Sequence, residues 1–225
     1  SPADGNIWAG TFDHGVFVIS PTGRVLHRLT TSTGLVDNNV LSIAGDERRV
    51  FFATFGGVTA VDIRTGHCAR LDALGKGYVY AVFRDRRGRI WFGTDGKGLV
   101  VLADDQFRHF TLADGRPLKT IYSIAEDRAG HIWFSTDKEG LFRYDGEKFY
   151  HYGAESRLHR RSGTGLATDG NGQLLIAYDD GLDILNPYRP GHVTFCDPAI
   201  GAPVAEANLN ALCRDAQGNV WLGSR

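Results

Sequence analysis

An all-β fold, a β-propeller built from four-stranded antiparallel blades, is what this 225-residue sequence predicts, and three observations predict it. One short element recurs along the chain, its copies are spaced like blades, and each copy carries bulky and small residues at fixed offsets. The element is DGNIWAGT at Asp4–Thr11, DRRGRIWFGT at Asp85–Thr94, DRAGHIWFST at Asp127–Thr136 and DAQGNVWLGS at Asp215–Ser224. Weaker copies are DERRVFFAT at Asp46–Thr54 and DGNGQLLIAY at Asp169–Tyr178. The aligned large residues are Trp8, Phe51, Trp91, Trp133, Leu175 and Trp221, at intervals of 43, 40, 42, 42 and 46 residues. A four-stranded blade takes about 40–45 residues.

Each unit contains four strand signals, shown by Val79–Phe110. VYAVF is the first, then the turn Asp85–Gly88, then RIWFGT, the turn Asp95–Gly98, LVVL, and finally QFRHF. Asp at a turn start accepts backbone N–H groups, and Gly three residues on supplies a positive φ. The turn at Asp46 lacks that Gly and is expected to be looser or differently built. Two residues after each large residue comes a small one: Gly10, Ala53, Gly93, Ser135, Ala177, Gly223. Four residues before the turn Asp comes another: Ser42, Ala81, Ser123, Gly165, Ala211. Sheets stacked around an axis crowd toward it and widen away from it, so small inner and large outer side chains are expected. A helical solenoid of similar period is excluded, because the apolar segments are short, β-branched or aromatic, and broken by Gly.

The blade parts fall at 1–29, 40–71, 79–110, 121–152, 163–195 and 209–225, giving four complete and two partial blades in a single propeller fragment, 1–225. Both ends contain a second strand, so the expected architecture is an arc of a ring with seven or more blades. Open arcs expose strand edges. Another chain or a missing segment is expected to cover at least one end, and a homodimer is a separate expectation. The sequence has no Met and is read as a piece of a longer protein.

Composition narrows the function. A formal net charge of −1 disfavours nucleic acid as a partner, and no apolar run approaches the roughly 18 residues of a membrane span. Cys68, Cys196 and Cys213 have no zinc spacing and read as small apolar residues, so no metal or cofactor is expected. DGNGQ at Asp169–Gln173 faintly resembles a calcium loop but occupies the hairpin turn common to every unit. No phosphate-binding Gly loop or nucleophile elbow appears.

NNVLSIAGD at 38–46, the recurring D-x-x-G-x-I-W-F-G-T, GLFRYD at Gly140–Asp145 and KFYHY at 148–152 resemble the two-component regulator propeller repeats. The resemblance covers nearly the whole chain, though the units around Asp46 and Leu175 lack the Gly or the Trp. It implies the extracytoplasmic, periplasmic sensor region of a bacterial two-component or hybrid sensor histidine kinase. It also implies a non-enzymatic chain whose parent carries histidine kinase or diguanylate cyclase output, and a carbohydrate as one ligand class. Streptogramin lyases are similar in their repeats and supply the enzyme alternative, which needs a His and an acid converging on a metal. His14, His27, His67, His109, His131, His151, His159 and His192 are available, but His27, His109 and His151 recur on outer fourth strands. A protein-interaction scaffold is the third reading.

Binding on a propeller belongs to loops carried by the rigid scaffold. The connections entering first strands and those between second and third strands share one face. There Tyr80, Tyr122, Arg160, Arg161, Lys97, Lys119, Asn39 and Asn210 are the candidate ligand-binding residues, with no catalytic set. Aromatic faces beside cationic and amide donors suit a small molecule, a sugar or an anionic glycan.

Overall fold

The computed structural model describes residues 5–153, 156, 158–159, 163–178, 181–188, 193–196, 209–215 and 217–224. It divides into two compact units, Ser1–Phe110 and Thr111–Arg225. In the first unit, β1 (Ile7–Gly10), β2 (Val16–Ile19) and β3 (Val25–Leu29) form a three-stranded sheet. Two four-stranded sheets follow: β4 (Val40–Gly45), β5 (Arg49–Thr54), β6 (Gly57–Asp62) and β7 (Cys68–Arg70), then β8 (Val79–Arg84), β9 (Ile90–Thr94), β10 (Leu99–Ala103) and β11 (Gln106–Phe110).

The second unit opens on a miniature hairpin, β12 (Leu112–Ala113) with β13 (Arg116–Pro117). Its turn residues Asp114 and Gly115 both have positive φ, the Asp-Gly signature of a two-residue hairpin loop. Four-stranded sheets β14 (Ile121–Glu126), β15 (Ile132–Thr136), β16 (Leu141–Tyr144), β17 (Phe149–Tyr152) and β18 (Gly165–Thr168), β19 (Leu174–Tyr178), β20 (Gly181–Leu185), β21 (Val193–Cys196) come next. The pair β22 (Leu209–Arg214) and β23 (Val220–Ser224) ends the order. Every neighbouring pair is antiparallel and sequential, the meander of propeller blades. Among the described residues helix is limited to short 3-10 turns such as Thr31–Thr33 and Asp72–Leu74.

The hairpin between first and second strands is set by its Asp. Asp85 Oδ1 accepts from the backbone N–H of Arg87 (3.0 Å) and Arg89 (2.9 Å), and Asp127 Oδ1 does the same for Ala129 (2.9 Å) and His131 (3.0 Å). The other carboxylate oxygen takes the indole N–H of the strand Trp, at 2.8 Å from Trp91 and 2.9 Å from Trp133. One side chain therefore closes the turn and fixes the core aromatic six residues on. Asp46 builds a turn one residue shorter, with Oδ1 accepting from Arg48 (2.8 Å) and Arg49 (2.6 Å), which is why it needs no Gly. In the first copy the Gly and Trp are in step with the others but the Asp is not. Asp4 aligns with Arg87, and Pro2 falls where Asp85 does.

Sheets stack face to face within each unit, β4 on β8, β14 on β18 and β18 on β22. Phe51, Val82, Phe92 and Val100 fill one interface of the first unit, and Val16, Val40, Phe52 and Trp8 the other. Trp133, Leu166, Ile176 and Tyr178 do so in the second. The small inner residues do more than save space. Ser42 Oγ accepts from Val82 N (3.1 Å) and donates to Val82 O (3.3 Å), while Ser123 Oγ accepts from Leu166 N (3.0 Å). Backbone groups that would otherwise be stranded on the facing sheet are thus satisfied.

Gly10 shows how tight the inner positions are. A Cβ there would lie 2.5 Å from Val40 Cγ1 and 3.0 Å from Ile43 Cδ1. Gly10→Val is expected to destabilise the protein by about 1–3 kcal/mol through overpacking, read as a lower urea midpoint.

Candidate functional site

Where β4, β8, β14 and β22 begin, each first strand carries a β-bulge: the register steps from Val40 to Ser42, Val79 to Ala81, Ile121 to Ser123 and Leu209 to Ala211. The skipped residues are Leu41, Tyr80, Tyr122 and Asn210. A bulge takes its residue out of the ladder and re-aims the side chain, a device frequent at binding sites.

Around Tyr80 the first unit assembles a strip of aromatic rings. Phe12 meets Phe55 edge to face at 5.5 Å, Phe55 lies against Tyr78 at 4.5 Å, and Tyr78 meets Tyr80 edge to face at 5.9 Å. Phe12 follows β1, Phe55 follows β5, and the tyrosines flank the start of β8, so three consecutive sheets contribute. Phe12 is 66% exposed and Tyr78 45% exposed, which is unusual for large rings with core available. Carboxylates border the strip: Asp13 beside Phe12, Asp37 against Gly56, and Asp95, whose N–H donates to Tyr78 O (2.8 Å).

The residues expected from sequence are distributed as follows. Tyr80 is half-buried in the strip. Asn39 turns inward, its Nδ2 and backbone N–H both donating to Asp37 Oδ1 at 2.9 and 2.7 Å. Lys97 Nζ donates to Leu74 O (3.0 Å), holding the Asp72–Leu74 turn against the β9–β10 hairpin. In the second unit Tyr122 Oη donates to Asp137 Oδ1 (3.4 Å), and Lys119 is exposed just beyond β13. Arg160, Arg161 and the Asn210 side chain lie outside the described residues.

Phe12 and Phe55 went unnoticed in the sequence, although a signal was there. The residue after the repeat's Thr is Phe12, Phe55, Asp95 and Asp137 in successive units, so the strip exists only where that position is aromatic.

The second unit holds a buried polar cluster. Asp183 Oδ2 accepts from Tyr178 Oη and from His159 N, both at 2.8 Å, while its Oδ1 is buried with no partner. Burial raises the Asp183 pKa above the ordinary carboxylate value, against the pull of the two hydrogen bonds. Among the described residues no group of three or more His, Cys, Asp or Glu is placed to hold a metal ion. No helix among them is long and apolar enough to cross a membrane.

The model of the two-component regulator propeller family matches residues 73–96, 115–138 and 204–225. No curated protein matches the sequence. Among solved structures, the chain resembles the extracellular domain of BT4673 from B. thetaiotaomicron, assigned as a hybrid two-component system. The TM-score is 0.77 and the identity 20%, over 97% of this chain and 30% of that one. It also resembles PorZ, a surface component of the type-IX secretion system of Porphyromonas gingivalis (TM-score 0.72, 16% identity, 100% of this chain and 36% of that one). A third likeness is to an inactive variant of virginiamycin B lyase from Staphylococcus aureus with quinupristin (TM-score 0.76, 13% identity, 99% of this chain and 79% of that one). The chain thus spans about a third of the first two proteins, and at these identities the likeness is one of fold. The blade meander and the Asp-to-Trp turns make a β-propeller fold, three segments of which match the two-component regulator propeller model.

Proposed function

We propose that this chain is the ligand-sensing, periplasmic part of a bacterial two-component sensor, a hybrid histidine kinase, and that it binds a neutral oligosaccharide along the Phe12–Phe55–Tyr78–Tyr80 strip. The family match supports the signalling role. The exposed strip carries the binding role. Aromatic faces stack on the C–H faces of sugar rings, and bordering carboxylates accept hydroxyl hydrogens. Three carboxylates, Asp13, Asp37 and Asp95, outnumber the Arg70 guanidinium, which donates to Gly56 O (3.0 Å) beside Phe55, and this balance favours an uncharged glycan over an anionic one. Signal would leave as a shift between conformations that bind the ligand unequally.

Isothermal titration against neutral and sulfated oligosaccharides tests this reading. A neutral glycan is expected to bind, and the Phe12→Ala/Tyr78→Ala double variant to bind at least about tenfold more weakly, since each lost stacking contact is worth about 1 kcal/mol. Because these rings also pack on Phe55 and Tyr80, the variant should melt somewhat lower than the native protein, and affinities are compared at a temperature where both are folded. Binding confined to sulfated glycans, unchanged affinity in the variant, or metal-dependent turnover of a cyclic depsipeptide would overturn the proposal, the last in favour of a lyase.

A further inference from the structure

The rings of the strip ride on loops rich in glycine. Phe55 is followed by Gly56-Gly57, and Tyr78 is preceded by Gly75-Lys76-Gly77. Glycine restrains a backbone least, yet Phe55 and Tyr78 meet at 4.5 Å. What holds these loops is a cation on a backbone carbonyl of each. Arg70 Nη2 donates to Gly56 O (3.0 Å), next to Phe55. Lys97 Nζ donates to Leu74 O (3.0 Å), in the turn that leads into Gly75 and Tyr78. Arg28 Nε donates to His14 O (2.6 Å), just beyond Phe12. The Phe55 and Tyr78 loops also nest together: a Cβ on Gly57 would stand 2.8 Å from Gly75 O, and one on Gly75 would run into Lys97 Nζ.

The arrangement follows the repeat, which separates it from chance contact. Arg28 pairs with Phe17, Arg70 with Thr59 and His151 with Phe142, in each sheet the residue two places after the hairpin glycine Gly15, Gly57 or Gly140. From that place on the outer strand the side chain reaches the carbonyl just before the glycine, at His14, Gly56 and, in the second unit, Glu139. His109 holds the place in the third sheet, and there the loop residue Lys97 reaches instead to the preceding connection. Hydrogen bonds from charged donors are about twice as strong as neutral ones, so each is a firm tether.

We propose that Arg70 and Lys97 are positioning residues of the strip: by tethering the Phe55 and Tyr78 loops they fix the spacing and tilt of the two rings, and through them which neutral glycan is selected. Both roles rest on the strip being the glycan site proposed above. Neither cation touches the ligand. An untethered loop would have to be ordered at the moment of binding, and affinity would fall by that cost. Rings held in one geometry discriminate a ribbon-like glycan from a coiled one, whereas rings that can re-pack accept both.

The double variant Arg70→Met/Lys97→Met tests this on the whole chain, with Arg70→Lys/Lys97→Arg as its conservative counterpart. Ring contact is read without ligand, as nuclear Overhauser effects between isotope-labelled Phe55 and Tyr78. These should vanish in the Met variant and survive in the conservative one. Cellohexaose, a ribbon, and maltohexaose, a coil, then serve as probes in isothermal titration. The Met variant should bind the preferred hexaose about three- to tenfold more weakly, the cost of ordering one or two side chains, and the ratio of the two affinities should shrink toward one. The conservative variant should restore both. A general loss of stability would weaken the two hexaoses alike and leave their ratio unchanged. Persisting ring contacts in the Met variant, or an unchanged ratio, overturn the inference. Native protein that binds neither hexaose counts against the glycan reading alone, and the ring contacts then decide the positioning role.

Discussion

Replacing Asp127 with Ala should lower stability by about 3–5 kcal/mol, because it strips the acceptor from the buried Trp133 indole and from three part-buried donors at once. Asp127 is fully buried and gathers the N–H groups of Ala129 and His131 on one oxygen, and His131 Nδ1 and Trp133 Nε1 on the other. Ala leaves the indole of a completely buried Trp133 with no acceptor and removes the contacts that close the turn. Asp127→Asn should lose less, since its carbonyl oxygen still accepts the two turn amides. The urea midpoint reads both. Asp215 serves as the control: it makes the same bonds, to Gln217, Asn219 and Trp221, yet Trp221 is 65% exposed and water can replace them. Asp215→Ala should move the midpoint by only a small fraction of the Asp127 shift. Equal losses at the two sites would mean that burial does not set the value of this turn.

Asp183→Ala comes second, with an expected loss of about 2–4 kcal/mol as Tyr178 Oη and the N–H of His159 lose their acceptor. Asp183→Asn behaves differently, and pH reveals why. The native Asp183 pKa stands above its unfolded value because burial penalises the charged form. The folded state therefore holds more protons than the unfolded state between those two values, and stability falls as pH rises through that window. Above that window the native protein carries that penalty in full. Asn has no charge to bury and can still accept both hydrogen bonds on one oxygen. Denaturation at pH 7 should find Asp183→Asn at least as stable as the native protein, with the native protein gaining on it as pH falls toward 4. A pH-independent difference between the two would refute the buried-charge explanation.

The architecture was legible because its determinants are local and repeated. An Asp, a Gly and a Trp at fixed spacing dictate a hairpin with a pinned aromatic, and Ser42 and Ser123 advertise the narrow inner face. The turn at Asp46 was recognisably different in sequence, and its geometry is simply one residue shorter. The misaligned Asp of the first copy was hidden by a Gly and a Trp that fall in step around it. The candidate site was harder to read because it depends on which loops converge. Tyr80 and Tyr122 could be picked from their place near first-strand starts, and both sit on bulges. Lys97 reads in sequence only as a loop cation, and its hold on the Leu74 carbonyl depends on a loop 23 residues away. Phe12 and Phe55 looked like ordinary strand-end aromatics, since nothing in a linear pattern says that residues 43 positions apart will touch.

The aromatic strip crosses three sheets that are otherwise joined through packing, the Ser42 bridge to Val82, the Arg49–Asp105 and Arg84–Glu47 ion pairs, and backbone bonds such as Val40 N–H to Thr11 O (3.0 Å). A rod-like guest lying on it would act as a splint, tying those blades into one stiffer body and raising the cost of any hinge motion between them. Stiffness, rather than a large displacement, would then be the quantity that changes with occupancy.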